Sequence, residues 1–314
     1  MLASTTRPND LLQLDIRHGP SCDYHRVVLP FQYLKVSPRV PVFWFNRVAS
    51  GGLSQLRQLK ARGVHIVMDL DDHFELPTDH YLFQSFKRSG MTQNIVSGLR
   101  LADLVVVTSS LLAAAVRPFN ANVVVVPNAL PFDQGQFRLS QDKVSSTSLV
   151  YAAGTSHYPD LRMVGDHLPP GCLTVAGELA GSAEWARMRI CTPDQQWRSM
   201  LPLNSYMTAY DGHRAAIAPL VDNAFNRCKS NLKTLEAGAK GIALLASDCP
   251  PYRNWLDERY VIYCKSVNDW AREISGLTAS KAEDYGGALA AHVRQHYQLK
   301  DANEVRRQII ESFA

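Results

Sequence analysis

Short, continuously apolar runs are the feature that most restricts what this chain can fold into. Runs such as Val64–Leu70, Leu104–Thr108 and Val123–Val126 lack the apolar–polar alternation of a half-exposed strand. Strands of this kind are buried on both faces, as in a parallel sheet that is covered by helices on both sides. Amphipathic segments separate the runs. The pattern therefore predicts an α/β fold built on doubly wound parallel sheets.

The pattern stops once and then starts again. A polar stretch at 133–148, rich in Ser, Gln and Asp, interrupts it, and apolar runs resume at Leu149–Ala153. A chain of 314 residues suits two domains of about 150 residues each. We predict two tandem Rossmann-like domains, at 1–145 and 146–314, with a cleft between them. The last helix could pack back on the first domain.

Charge and cysteine content restrict the partners and the compartment. The net charge of +4 and the pI near 8.7 permit a polyanionic partner such as DNA, and a diphosphate ligand would also need cations. The six cysteines form no C-x-x-C pair, and the N-terminus lacks an apolar signal core. No apolar run approaches the roughly 20 residues that span a bilayer. These features predict a reduced, cytoplasmic protein without membrane insertion.

The strongest motif runs from Asn223 to Ser247. A loop rich in Asn and basic residues opens a predicted helix at Ser230–Ala239, and the next buried strand follows Gly241. Free N–H groups at a helix start, together with Lys229, favour a diphosphate site. Glu236, seven residues after Lys229, would share its face and accept hydrogen bonds from ribose hydroxyls. The alternative is an ordinary surface helix capped by Ser230.

Histidines and short motifs add little further chemistry. His157 follows Gly154 in a predicted βα turn, where an imidazole could donate to a phosphate or sugar oxygen or, alternatively, bond to the backbone. His292 and His296 have a zinc-like spacing, but no adjacent Glu or third ligand accompanies them, and we expect a solvated pair. Neither G-x-S-x-G, G-x-G-x-x-G nor a P-loop is present, which argues against a serine hydrolase, an NAD enzyme and an ATPase.

The Asn223–Ser247 segment resembles the donor-binding signature of the family-four GT-B glycosyltransferases. That signature is Glu-x7-Glu followed by Ala-x-x-x-Gly and a strand that ends in Ala-Ser. Glu236 matches the second glutamate, which in the family holds the nucleotide ribose, whereas Cys228 stands where the first would fall. The sequence Lys-Ser-Asn-Leu-Lys at 229–233 is similar to short glycosyltransferases, several of them encoded by phages.

Four further segments agree with the resemblance in order and spacing. The pair 102–110 and 123–130 is similar to the end of the family's first domain, 154–161 to the first βα turn of its second domain, and 22–30 to its first loop. The resemblance implies donor contacts from Gly154, Thr155, Ser156, Arg227, Lys229, Ser230, Asn231 and Glu236. It implies an acceptor side formed by Tyr24, His25, Arg26, Asp71 and Asn128.

Asp69-Leu-Asp-Asp72 admits three interpretations. In the resemblance, Asp71 and Asp72 face the cleft from the acceptor side. An Asp-x-Asp after a strand could instead hold Mn²⁺ or Mg²⁺ on a diphosphate, as in single-domain (GT-A) glycosyltransferases. Asp72 could also simply cap a following helix. The resemblance implies no metal and no cofactor besides the nucleotide-sugar donor, which we expect to be a UDP-sugar.

The resemblance also implies a mechanism. Transfer, of a hexosyl or pentosyl group, would retain the anomeric configuration. Lys229, helix-start N–H groups and Arg227 would stabilise the leaving nucleoside diphosphate, and the leaving phosphate could take the acceptor proton. An inverting enzyme would need a base, for which Asp72 is the candidate. Asp72, His157 and Lys229 are the predicted catalytic residues.

The acceptor is less constrained than the donor. Basic charge, small size and likeness to phage sequences favour 5-hydroxymethyl pyrimidines, such as 5-hydroxymethylcytosine, in double-stranded DNA, with the host cytoplasm as the site of action. Arg26, Arg47, Arg88 and Arg100 could contact DNA phosphates. One alternative is a glycosyltransferase of surface-polysaccharide or lipid-linked saccharide synthesis. Another, suggested by Cys228, is a non-catalytic sugar-nucleotide binding module.

Overall fold

Two parallel β-sheets organise the chain in a computed structural model that describes residues 11–16, 21–141, 148–165 and 167–313. The described strands are β1 Leu12–Asp15, β2 Val42–Asn46, β3 His65–Leu70, β4 Leu104–Val107, β5 Val123–Val125, β6 Leu149–Ala152, β7 Leu173–Glu178, β8 Gln196–Ser199, β9 Ala215–Ala218, β10 Ala243–Ser247 and β11 Ile262–Cys264. The predicted α/β class with two parallel sheets is confirmed.

Helices connect and cover the strands. The α-helices are α1 Ser21–Asp23, α2 Leu29–Tyr33, α3 Gly52–Ala61, α4 Phe83–Ser89, α5 Met91–Leu101, α6 Ser110–Val116, α7 Tyr158–Gly165, α8 Ala183–Ile190, α9 Ala224–Arg227, α10 Leu232–Lys240, α11 Pro250–Arg253, α12 Val267–Ser275, α13 Ala279–His296 and α14 Leu299–Glu311. Short 3₁₀ turns lie at Gly135–Phe137, Thr155–His157 and Tyr206–Tyr210. Within the described parts of the chain, no helix combines the length and apolar character that crossing a bilayer requires.

The first sheet keeps its strands in sequence order, β1-β2-β3-β4-β5. Successive side chains of a strand point to opposite faces, so one apolar run supplies two cores. In β2, Phe43 and Phe45 join the cluster that packs under α3, α5 and α6, whereas Val42 and Trp44 join a cluster on the other face. All five residues of β2 are buried, which explains why its sequence does not alternate.

The second sheet has the order β11-β10-β9-β6-β7-β8. Leu149 and Ala215 belong to the cluster on one face, and Val150 and Ala216 to the cluster on the other. From β6 the chain proceeds first through β7 and β8 on one side, then returns to β9 on the other side. The crevice at such a topological switch point, beyond the carboxyl ends of the strands, is where ligands bind in open α/β sheets.

The C-terminal helix α14 crosses to the first sheet. Ile309 and Ile310 are buried in the same apolar cluster as Val42 and Trp44. The side-chain amide of Asn303 donates to the backbone carbonyl of Pro30 over 2.8 Å. Helix α14 therefore packs against the first sheet, although it follows the second sheet in the chain.

Several local expectations differ from the structure. The helical segment that begins at Ser21 contains a π-helical turn at Tyr24–Val28 before α2. The helix predicted from Ser230 begins two residues later, at Leu232. Asp72 caps no helix, because the next helix begins only at Phe83 and has no side-chain cap. Ser109 is the N-cap of α6, and its hydroxyl accepts from Leu112 N–H. Of the predicted 133–148 linker, 142–147 lie outside the described residues.

Candidate functional site

A cavity of about 400 Å³ lies beyond the carboxyl ends of β6 and β7, at the switch point of the second sheet. Its wall is formed by His25, residues 152–154, Ala176, Gly177, residues 199–203, Tyr206, Ala209, Leu232, Lys233 and Glu236. His25 belongs to the part of the chain that forms the first sheet, and the other residues belong to the part that forms the second. The cavity is therefore a site between the two sheets.

Glu236 supplies the buried carboxylate of this cavity. It lies in the middle of α10, only 1% of its surface is exposed, and its Oε2 accepts from Tyr210 Oη at 2.6 Å and Lys233 Nζ at 2.7 Å. Burial acts to raise the pKa of Glu236, but the charge of Lys233 and these hydrogen bonds outweigh it and lower the pKa. The group is thus an ionised acceptor suited to ligand hydroxyls.

His25 enters the cavity from the π-helical turn as a neutral ring. Its Nε2 lies 3.3 Å from Tyr206 Oη, and its Nδ1 has no hydrogen-bond partner among the described residues. Burial lowers the pKa of His25 to about 4. Tyr24 packs edge-on against the ring, with centroids 5.1 Å apart, and its hydroxyl accepts from Gln136. His25 therefore contributes an uncharged polar ring to the cavity wall, and its Nδ1 is buried behind that wall.

Lys229 lies at the domain boundary and faces carboxylates of the first domain. Its Nζ is 3.5 Å from Asp72 Oδ1, and Arg47 Nη2 is 3.1 Å from Asp71 Oδ1 and 3.2 Å from Asp72 Oδ2. Burial acts to raise the pKa of Asp72, but Lys229 and Arg47 dominate and hold it at about 2. Asp72 is therefore a counter-ion to both cations and a weak proton acceptor.

The same corner contains the one group among the described residues whose geometry could suit a metal ion. Cys22, Asp71 and Asp72 offer ligand atoms within 4.8 Å of one another. However, Arg47 already pairs with both carboxylates, and burial, followed by the charge of Asp71, raises the pKa of the Cys22 thiol well above its ordinary value. A divalent cation at this place would have to displace Arg47 from both carboxylates. The donor set fits a guanidinium better than a divalent cation.

His157 stands in the 3₁₀ turn that follows β6 and Gly154. Its Nδ1 lies 2.7 Å from Asp160 Oδ2, while Asp160 Oδ1 accepts from Val221 N–H and Asn226 Nδ2. Burial, and then the charge of Lys229, lowers the pKa of His157 despite Asp160. In the neutral ring, donation from Nδ1 to Asp160 leaves Nε2 as an acceptor. Asp72, His157 and Lys229, the three predicted catalytic residues, lie close enough for their charges to act on one another.

The remaining donor-side residues divide into two groups. Gly154 is exposed at the cavity wall, Ser156 follows it, and Thr155 begins the 3₁₀ turn. Ser230 Oγ accepts from Asn128 Nδ2 at 2.9 Å, and Asn231 is buried with neither side-chain amide atom bonded within the described residues.

One expectation for the donor side is wrong, and another stays a prediction. Arg227, a predicted donor contact, is 55% exposed, forms a two-bond ion pair with Asp222 and is not among the residues that line the cavity. Lys229 and Glu236 do not share a helix face, because Lys229 precedes α10 and pairs with Asp72 whereas Glu236 pairs with Lys233.

Arg26 is also not where it was expected. It is fully buried and donates to Asp69 at 2.6 and 3.2 Å, to the Val126 carbonyl and to Asn128 Oδ1. Arg26 therefore cannot contact an acceptor or a DNA phosphate, since an interior carboxylate already compensates its charge. Asn128 is buried between Arg26 and Ser230 and bridges them.

Sequence reasoning gave Lys233, Tyr206 and Tyr210 no role in the site, and it named Arg47 only as a candidate DNA contact. Lys233 could have been found, because it lies three residues before Glu236 on one helix. The two tyrosines belong to a 3₁₀ turn that follows an irregular segment, which carries no periodic signal.

Comparisons with known proteins bear on the fold. No protein-family model matches the chain, and no curated protein matches its sequence. Among solved structures, HepE of Anabaena with UDP and glucose matches 86% of this chain and 77% of its own at 11% identity, with a TM-score of 0.68. Sucrose-phosphate synthase of Thermosynechococcus elongatus matches 86% and 73% at 12% identity, with a TM-score of 0.63. A UDP-forming α,α-trehalose-phosphate synthase of Burkholderia xenovorans matches 89% and 75% at 12% identity, with a TM-score of 0.60.

These likenesses span most of both chains and both sheets. At 11–12% identity they establish the fold alone. The chain has the GT-B fold of these glycosyltransferases.

Proposed function

We propose that the protein is a glycosyltransferase that takes a sugar from a nucleoside-diphosphate sugar, with a UDP-sugar as the expected donor. The observation that carries the proposal is the switch-point cavity, in which ionised Glu236 lies beside Lys233. HepE, a fold neighbour, binds UDP and UDP-glucose according to its structures. A sugar-nucleotide binding module without catalysis is the competing class, and a donor-hydrolysis assay distinguishes the two.

The proposed roles follow from position and charge. Glu236 accepts the ribose hydroxyls, as the family resemblance implies. Lys229 and the backbone of 154–156 receive the diphosphate, and Lys229 exchanges Asp72 for the ligand anion. His157 offers Nε2 to a donor or acceptor hydroxyl. None of these roles requires a divalent cation. We therefore expect sugar transfer to persist in excess EDTA.

Transfer with retention is the proposed stereochemical course. Inversion needs a general base, and the candidate Asp72 is a poor one, because Arg47 stays paired with its carboxylate when Lys229 turns to the ligand anion. In the retaining route, the bond between the anomeric carbon and the phosphate oxygen breaks while the acceptor oxygen bonds to the same carbon on the same face. The acceptor proton passes to the leaving phosphate.

Lys229→Ala tests the donor site. Losing the charge-assisted bonds of one lysine should weaken UDP binding by about 1.5–3 kcal/mol, or roughly ten- to a hundredfold. Calorimetry with UDP measures it, and Lys87→Ala, on an exposed position of α4, is the matched control. Unchanged affinity for every nucleoside diphosphate would remove Lys229 from the site.

For the acceptor, we propose 5-hydroxymethyl pyrimidines in double-stranded DNA. The proposal is supported by the net charge of +4 and by Arg88 and Arg100, which are exposed on α4 and α5. Arg26 and Arg47 no longer support it, because both are held by aspartates. Radiolabelled nucleotide sugars offered with hydroxymethylated and unmodified DNA at two salt concentrations test it. Absence of DNA binding and transfer would favour a saccharide or lipid-linked acceptor.

A further inference from the structure

The segment 225–230 belongs to the second half of the chain but is attached to the first domain at successive residues. The ring of Phe225 meets His80 edge-on, with centroids 5.7 Å apart, and Lys229 Nζ stands 4.7 Å from the centroid of the Phe225 ring. Lys229 in turn faces Asp72. Such a segment cannot shift without changing contacts in both domains.

Cys228 is the apolar anchor of this segment. Its side chain is 6% exposed and lies in the apolar cluster of the first sheet, with Phe74 and Leu112. Its carbonyl accepts from Ser109 Oγ at 3.1 Å, while the same hydroxyl accepts from Leu112 N–H as the N-cap of α6. One serine therefore joins a helix of the first domain to the residue next to Lys229.

Asn128 attaches the other side of Lys229. Its Nδ2 donates to Ser230 Oγ at 2.9 Å, and its Oδ1 accepts from Arg26 Nη1 at 2.9 Å. Arg26 is itself fixed by Asp69 inside the first domain. Because Arg26 can only donate, it determines which end of the Asn128 amide points to Ser230.

We propose that Ser109, Asn128 and Cys228 are positioning residues for Lys229. Ser109 and Asn128 hold it from the first domain, and Cys228, its neighbour in the chain, packs into the core of that domain. The proposal rests on the proposed function, in which Lys229 receives the diphosphate. It adds that the first domain sets the position of that cation before any ligand arrives. Cys228 acts here through packing, at the position where the resembling family carries a glutamate.

The experiment compares two N-cap serines in the full-length protein. Ser109→Ala and Ser266→Ala each remove a helix cap, but Ser266 caps α12 in the second domain, where the described hydrogen bonds of its hydroxyl are with Asp269 alone. Asn128→Ala is the second test variant. Calorimetry measures UDP affinity, and peptide mass spectrometry measures how fast a small thiol reagent labels Cys228 and Cys249, which is buried in the second domain.

We expect Ser109→Ala and Asn128→Ala to weaken UDP binding about five- to twentyfold and to speed Cys228 labelling about tenfold. Cys249 labelling should stay unchanged, and Ser266→Ala should change neither quantity by more than about twofold. Faster labelling of Cys249 together with Cys228 would overturn the proposal, because it would mean general destabilisation. Faster Cys228 labelling with unchanged UDP affinity would overturn it as well.

The two proposals can fail separately. If the wild-type protein binds no nucleoside diphosphate, the proposed function fails. The labelling rates would still decide whether Ser109 and Asn128 hold the 225–230 segment.

Discussion

At the scale of single residues, Glu236 combines burial with charge, and the balance depends on Lys233. Glu236→Gln keeps the side-chain shape and an oxygen for Tyr210 but removes the charge. We expect nucleotide binding to weaken by about 1–3 kcal/mol, the cost of losing a charged acceptor. The fold should survive, since Lys233 is 27% exposed and can turn to water.

Calorimetry with UDP and a thermal melt on the same samples check this prediction. Glu283→Gln, on an exposed position of α13, is the control. A collapsed melting temperature for Glu236→Gln would instead make Glu236 a structural residue.

Two buried histidines make stability depend on pH. Burial lowers the pKa of His25 and of His80 to about 4, whereas an unfolded histidine titrates near 6.5. Between pH 6.5 and 4 the unfolded chain therefore binds protons that the folded chain does not. The free energy of unfolding is highest above this window and falls on acidification, by roughly 1.4 kcal/mol per pH unit for each histidine.

Urea unfolding at pH 7, 6 and 5 measures the slope. His25→Gln and His80→Gln should each reduce the slope of the unfolding free energy against pH by the amount that corresponds to about one proton. His296→Gln, at an exposed position of α13, serves as control. Equal slopes for all variants would contradict the burial of neutral rings.

At the scale of elements, strands that are buried on both faces could be predicted from the sequence. The core runs of β2, β4 and β10 are continuously apolar because both faces are covered, so their existence can be read locally. The start of α10 could not be read in this way. Residues 229–231 look like a helix start, but Asn128 and Asp72 from the other domain hold 229 and 230 outside the helix.

The packing of α10 on α13 supplies a prediction about two glycines. A Cβ on Gly238 would lie 2.6 Å from Val293 Cγ2, whereas one on Gly287, within α13, meets nothing within 4 Å. Gly238→Ala should destabilise the protein by about 1–3 kcal/mol, because overpacking forces the helices apart. Gly287→Ala should stabilise it by about 0.4–1 kcal/mol through lower unfolded-state entropy. The urea unfolding midpoints of both variants test this prediction. Equal shifts of the two midpoints from the wild-type value would contradict the close approach of α10 and α13.

At the scale of the whole molecule, the sequence does not show which charged side chains are buried. Arg26 and Arg306 are both fully buried, although their local sequences resemble those of surface arginines. Arg306 reaches the interior because α14 returns to the first domain, near Asp69, whose charge acts on both arginines. Such interactions between distant parts of the chain leave no local pattern, so the predicted role of Arg26 on the surface was wrong.

The return of α14 leads to the last prediction. Ile310 is fully buried with Val42 and Trp44, and truncating a buried isoleucine to alanine costs about 2–5 kcal/mol. Ile310→Ala should therefore destabilise the first sheet, although residue 310 follows the entire second sheet in the chain. Gln308→Ala, on an exposed position of α14, should have little effect. Hydrogen exchange measured by mass spectrometry should quicken in β2 before it quickens in β10. Faster exchange in β10 alone would mean that the C-terminal helix stabilises the second sheet rather than the first.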